Sequence, residues 1–359
     1  MKSNGYFLKS AFSLSLLASA CIASAQGSVT IYGIVDAGLR YGDGLSAANA
    51  AFSGSTTAIN SGINNTSRLG FRGSEDLGGG MRAMFNLETG INIDTGTQAN
   101  AAKYFDRGSN VGLQTTFGTV TLGRQTTILA DALGPVDPLG VRYAGFNPNV
   151  AIAALSAHQL GVEYGPSGAN TGAYRLDNSI KYVGTFSDLT VRAIHALGEQ
   201  AGDAGKLSSS GLGLGYQSES YAATLGYEQF ESATGLNLKG YLGGVSGKLG
   251  SSKLSLTYGS HEGETSVTAK TRNTTLGLGG TFPLSGSVDL IVAHYRVNRT
   301  RTAKLDDGFN RSVAFLEYKL SKRTRLYAEL DQTSWKDGYQ GVGLPGSASG
   351  ASLGMVHTF

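Results

Sequence analysis

The chain reads as an all-β protein, a sixteen-stranded antiparallel barrel closed across a membrane. Three observations predict this: period-two alternation along most segments, short connections alternating with long ones, and a terminal aromatic residue. The last nine residues set the pattern. Ala351, Leu353, Met355, His357 and Phe359 alternate with Ser352, Gly354, Val356 and Thr358, as expected of a wall strand with lipid on one side. A half-buried strand of a soluble sandwich carries the same signal, so the other end and the connections must decide.

Residues 1–25 carry Lys2 and Lys9 without an acid, then an apolar run from Ala11 to Ile22, then Ala23-Ser24-Ala25 before Gln26. This matches a cleaved secretory signal, leaving residues 26–359 as the barrel. The run is shorter than the roughly 20 residues a spanning helix needs. A lipoprotein cleaved before Cys21 usually has leucine where Ala18 stands. Cleavage removes Cys21, the only cysteine, so no disulfide or thiol chemistry is expected. It also lowers the formal charge from +3 to +1, which implies no nucleic-acid partner. Glycine is abundant at 53 of 359 residues against 6 prolines. No later run is apolar enough for a membrane helix.

Two faces recur along the chain. Val29, Ile31, Val35, Ala37 and Leu39 oppose Thr30, Tyr32, Asp36 and Arg40; Leu69 and Phe71 oppose Arg68 and Arg72; Met81, Ala83, Phe85 and Leu87 oppose Arg82, Asn86 and Glu88. Later, Ile180 and Tyr182 oppose Ser179 and Lys181, Leu189, Val191 and Ala193 oppose Thr190 and Arg192, and Leu326, Ala328 and Leu330 oppose Arg325, Tyr327, Glu329 and Asp331. Short connections at 76–80, 117–119, 186–188, 217–219, 250–252, 283–286 and 320–322 alternate with longer ones at 41–65, 94–104, 128–175, 200–207, 261–270, 300–309 and 336–347. With a tight turn near 231–235 this counts to sixteen strands, and the two kinds of rim are those of an outer-membrane barrel. Sixteen strands enclose more space than side chains fill, so the lumen holds water and the charged face belongs there. A Lys or Arg facing mid-bilayer lipid costs about 2 to 4 kcal/mol. Aromatics near strand ends on the apolar face (Phe71, Phe117, Tyr182, Phe186, Phe282 and Tyr318) suit membrane girdles.

The segment 128–175 is anomalous. It alternates little, holds Pro135, Pro138, Pro148 and Pro166, and includes an alanine-rich piece at 150–158 suited to a helical turn or two. A loop of that length is functional or disordered. It either turns inward, setting Asp131 and Asp137 against the basic wall, or stays outside as a mobile loop.

Several runs resemble the general porins of Gram-negative outer membranes, in particular their β-proteobacterial branch. They are Ser28 to Gly38 (SVTIYGIVDAG), Ser67 to Gly80 (SRLGFRGSEDLGGG), Phe117 to Gln125 (FGTVTLGRQ), and Leu320 to Thr324 together with His357 and Phe359. The resemblance implies a homotrimer of sixteen-stranded barrels in the outer membrane, among lipid and lipopolysaccharide. It implies passive diffusion of small hydrophilic solutes and ions, a third loop bent into each lumen, and a terminal Phe359 recognised by the barrel-assembly machinery. The family's basic constriction cluster maps onto Arg68, Arg72 and Arg124, with Arg82 and Lys181 as neighbours. Asp131 and Asp137 fall on the acidic side, although the loop lacks the Pro-Glu-Phe type of motif found in some members. Tyr32, Asp36, Glu88, Arg192, Arg325, Tyr327 and Glu329 are expected to line the lumen. Counted by twos, Arg124 shares a face with Val120 and Leu122. Either Gly123 marks a bulge that turns it inward, the reading favoured here, or it snorkels at the rim.

The expected function is a water-filled pore with weak to moderate anion preference, or alternatively a channel specific for an organic anion or sugar. A soluble or adhesive β protein is the third class. No cofactor, metal or catalytic residue is expected. Gly350-Ala351-Ser352-Leu353-Gly354 lacks the helix and the following acid and His that a nucleophile elbow requires. Gly211-Leu212-Gly213-Leu214-Gly215 is followed by no helix and so is no nucleotide loop.

Overall fold

The computed structural model describes residues 28–46, 49–140, 142–143, 146–148 and 175–359. The secretory signal expected at 1–25 and the alanine-rich piece at 150–158 lie outside the described residues. Strands β1 (Ser28–Leu45), β2 (Ala51–Ser61), β3 (Arg68–Gly78), β4 (Met81–Asn92), β5 (Thr97–Gln98), β6 (Gly108–Thr115) and β7 (Gly118–Thr126) precede a short helix, α1 (Ile128–Leu133). There follow β8 (Arg175–Phe186), β9 (Leu189–Ala196), β10 (Ser209–Gln217), β11 (Tyr221–Glu231), β12 (Asn237–Leu249) and β13 (Ser252–Ser266). The last are β14 (Ala269–Pro283), β15 (Val288–Arg301), β16 (Asp307–Lys319), β17 (Thr324–Lys336) and β18 (Ser347–Thr358).

All pairings are antiparallel and the ring closes where β1 meets β18, from Ile34 opposite Thr358 to Asp43 opposite Ser349. The last residue completes the seam: Phe359 N donates to Gly33 O and Gly33 N to Phe359 O, both at 3.1 Å. Gly33 is required there, because a Cβ would stand 2.4 Å from the Phe359 ring. Strands β2 and β3 share one of the sixteen wall positions, pairing with the upper and lower parts of β1, and the two-residue β5 pairs only with the end of β4 and adds no position, since β4 pairs directly with β6. Between them residues 62–67 step off the wall, held by Asp36, whose carboxylate accepts Asn64 N at 2.7 Å, Asn65 N at 2.5 Å and Tyr327 OH at 2.7 Å.

The two faces read from the sequence are the two faces of the wall. Val29 and Ile31 are 66% and 62% exposed on the outside, whereas Asp36 and Arg40 are 0% and 4% exposed on the enclosed side. The outer face is an apolar belt with Phe117, Phe186, Tyr221, Tyr241, Tyr258 and Tyr318 among its exposed aromatics, the surface a bilayer matches.

Two expectations need correction. The connections expected at 41–65 and 261–270 are mostly strand and that at 300–309 is half strand, since β1 runs to Leu45 with β2 at Ala51–Ser61, β13 runs to Ser266, and β15 runs to Arg301 with β16 starting at Asp307. Above Tyr258 the outward residues become Ser260, Glu262 and Glu264, so both faces are polar and the alternation that marks a strand disappears although the ladder continues. Nor is the enclosed face polar throughout. Ile194, Phe230, Leu238 and Leu242 form one apolar cluster with Ile128, Leu129 and Leu133 of α1, and Ile291, Tyr295, Val313 and Phe315 form another with Leu139, Tyr143 and Phe146.

Replacing Asp36 by Ala strands three donors, at about 1 to 3 kcal/mol for each one left buried. The temperature at which the folded, fast-migrating band converts on a semi-native gel is expected to fall, and Asp36→Asn, which keeps an acceptor, is expected to fall less.

Candidate functional site

The enclosed wall divides into two arcs of opposite character. On β3 to β9 the register stacks cations. Arg68 Nε lies 3.8 Å from Glu88 Oε2, and Arg107 Nε donates to Glu88 Oε1 at 2.6 Å. Tyr32 OH stands 2.7 Å from Asn86 Oδ1 and 2.9 Å from Glu88 Oε2. Arg175 Nε donates to the Arg107 carbonyl at 2.7 Å, and Arg124 pairs with Asp177 at 2.7 Å. Arg72 has no carboxylate partner among the described residues, and its guanidinium lies 4.9 Å over the Tyr32 ring. Arg68, Arg72, Arg107, Arg124, Arg175 and Lys181 thus outnumber Glu88, Asp106, Asp131 and Asp177.

Arg124 belongs to this arc because of Gly123. That glycine has φ +121°, the register slips between Gly123 and Gln125, and a Cβ would stand 2.2 Å from Ser109 O. The bulge leaves Val120 and Leu122 exposed outside while Arg124, 7% exposed, turns inward and donates through Nε to Asp106 O.

On β15 to β18 and β1 the charges are closed into pairs. Arg40 bridges Glu329 at 2.9 Å and Asp331 at 2.7 Å and lies 4.9 Å from the Phe146 ring centre. Glu317 accepts from Asn64 Nδ2 at 2.6 Å, Arg142 at 2.5 Å and Tyr143 OH at 2.5 Å, with Arg325 3.6 Å away. Burial pushes the Tyr143 phenol well above its usual range and Glu317 adds to the push, so it remains a donor. Asp36, Tyr327 and Glu329 therefore lie on the enclosed side but are packed away rather than open to solvent.

The described part of 128–148 spans both arcs on the enclosed face. Thr127 caps α1 by accepting Ala130 N at 3.2 Å, and Asp131 pairs with Lys181, with Arg192 3.9 Å away. Further on, Ser246 Oγ and Lys253 Nζ donate to Pro135 O, and Asp137, 3% exposed, accepts from Tyr295 OH at 2.8 Å and Asn147 Nδ2 at 2.7 Å. Asp131 is thus brought to the basic arc and Asp137 is not. Arg82 also stands apart, exposed opposite Asp76 beside a short turn. Arg107, Arg175, Asp177, Arg142 and Glu317 were missed. Counting by twos from the outward Tyr182 already implied an inward Asp177, as the outward Tyr318 implied an inward Glu317; the parity fails only at Leu176, which the slip beside the positive-φ Asn178 turns against α1. Helix α1 was missed too, although Thr127 before an Ile-Leu-x-x-Ala-Leu pattern is an N-cap signal.

A family model described as Gram-negative porin matches residues 11–338. Outer membrane porin protein 32 of Delftia acidovorans is 29% identical over 371 aligned residues, covering 98% of this chain and 99% of the relative. An outer membrane porin protein of Bordetella pertussis is 37% identical over 143 residues, so this match spans only 37% of either chain. Among solved structures, an anion-selective porin from Comamonas acidovorans superposes with TM-score 0.76 at 27% identity, over 93% of this chain and all of that one.

Removing one partner of a buried ion pair costs about 3 to 5 kcal/mol. Arg40→Ala is accordingly expected to lower the unfolding midpoint strongly, by urea titration or semi-native gel, whereas Arg82→Ala at the exposed rim is expected to leave it unchanged.

Proposed function

The chain belongs to the Gram-negative porins, outer-membrane barrels that act as channels rather than enzymes, and from that premise we propose a water-filled pore with weak to moderate anion preference, narrowed by the segment 128–175. The asymmetry of the two arcs carries this reading. Glu329, Asp331 and Glu317 on the β15 to β18 and β1 side are taken up by Arg40, Arg142 and Arg325, and Asp36 by two backbone amides and a phenol, while among the described residues the β3 to β9 side keeps more cations than acids and offers Arg72 no carboxylate partner. In a water-filled neck with low-dielectric walls such an excess is screened less than on an open surface and enriches anions. Loop contacts with Thr224, Ser246, Tyr295 and Glu317 support the narrowing. The Comamonas relative carries anion selectivity in its title, which supports the same sign here. A homotrimer bathed in lipid and lipopolysaccharide, with Phe359 as the mark read by the assembly machinery, completes the proposal. The residues act by field and position; no bond is made or broken.

Arg72→Glu and Arg124→Glu are expected to shift the zero-current potential of bilayer-reconstituted protein in a salt gradient toward cation preference. Arg72 is the cleaner case because it anchors no buried pair. A zero-current potential that stays at the native value in both variants overturns the anion reading.

A further inference from the structure

The alternating glycines at 211–215 lie on the wall beneath α1, and that place in the barrel gives them a use. Gly213 on β10 lies directly opposite Gly226 on β11, and Gly211 lies opposite Glu228 in the next inward pair. All four face α1. A Cβ on Gly213 would stand 2.7 Å from Ile128 Cγ2, one on Gly211 3.0 Å from Ile128 Cγ1, and one on Gly226 3.2 Å from Ala132 Cβ and 3.3 Å from Ile128 Cγ2. The Ile128 methyl is fixed at a branched Cβ, so it cannot swing aside as the end of a long chain would. Glu228, 0% exposed, accepts Ile128 N at 2.9 Å, and Thr224 Oγ1 donates to Ala132 O at 2.6 Å at the other end of the helix. The wall is thus bare where the helix rests and bonded to it at both ends.

We propose that Gly211, Gly213, Gly226 and Glu228 form a seat that sets how far α1 stands from the wall, and so sets the aperture of the pore without lining it. They are positioning residues. The inference rests on the reading of 128–175 as the constriction. Any side chain at Gly213 must lift the helix toward the axis. The carboxylate of Asp131, on the same helix and paired with Lys181, would move with it.

The test is single-channel recording on the mature protein reconstituted in planar bilayers, in symmetrical potassium chloride for unitary conductance and in a potassium chloride gradient for the zero-current potential, with Gly213→Ala, Ile128→Ala, the double variant and Asp131→Asn. Gly213→Ala is expected to lower unitary conductance. The double variant, which removes the atoms that collide, is expected to recover it, with no change in heat-modifiability on gels. Rescue by the partner substitution separates a seat from general damage to the barrel. Gly226→Ala, with its wider clearance, replaces Gly213→Ala should the latter fail to assemble, and a smaller loss is then expected. Native conductance in Gly213→Ala, or a loss that Ile128→Ala does not rescue, overturns the seat. If Asp131→Asn still shifts the zero-current potential in that case, the constriction stands and only the seat falls. If neither substitution moves any current, both fall.

Discussion

Hydrocarbon offers no partner to a backbone amide, and this constraint governs the whole molecule. A sheet that crosses a bilayer must therefore close, and it closes here on the pairing of β1 with β18 and the mutual hydrogen bonds of Gly33 and Phe359. Closure gives every strand an inside and an outside. Once that is imposed, alternate side chains have no choice of solvent: Val29, Ile31 and Leu39 meet lipid because Asp36 and Arg40 cannot.

The inside is itself divided. Apolar side chains of β9, β11 and β12 and of β15 and β16 meet matching residues of α1 and Leu139, Tyr143 and Phe146, so these described residues after β7 are held by ordinary burial as well as by hydrogen bonds. The charges follow the same division. Arg40, Glu329 and Asp331 sit where they are almost wholly covered and must satisfy one another, because an uncompensated charge there would be far costlier than one in open water. Arg72, on the opposite arc, is exposed and has no carboxylate partner among the described residues, only the Tyr32 ring beneath it. Stability and the proposed selectivity thus draw on the same residue types in different places.

Much of this was legible from residue order. The alternation of Met81 to Glu88 and of Arg325 to Asp331 gave both faces correctly, and Gly123 was a sufficient sign that Arg124 leaves the lipid face. What failed did so for physical reasons. Beyond the membrane both surfaces of β13 are wet, so Ser260, Glu262 and Glu264 show no period. Under α1 the enclosed surface of β12 is itself apolar, so Leu238 and Leu242 look like lipid-facing residues out of phase. The partners of Arg40 lie nearly three hundred residues away on β17, reached across β18, and only the closed ring makes them neighbours. Asp36 likewise looks like one more wetted acid until the step at 62–67 is seen to fold over it.

A sealed cylinder with a wet interior must pass solutes by size, so graded permeation is the decisive measurement. Vesicles reconstituted with the mature protein should swell in isotonic sugars at rates that fall steeply from mono- to trisaccharide, and should pass chloride. Vesicles that hold both sugar and chloride, under conditions where the protein is inserted and resists heat as a folded band, would contradict it.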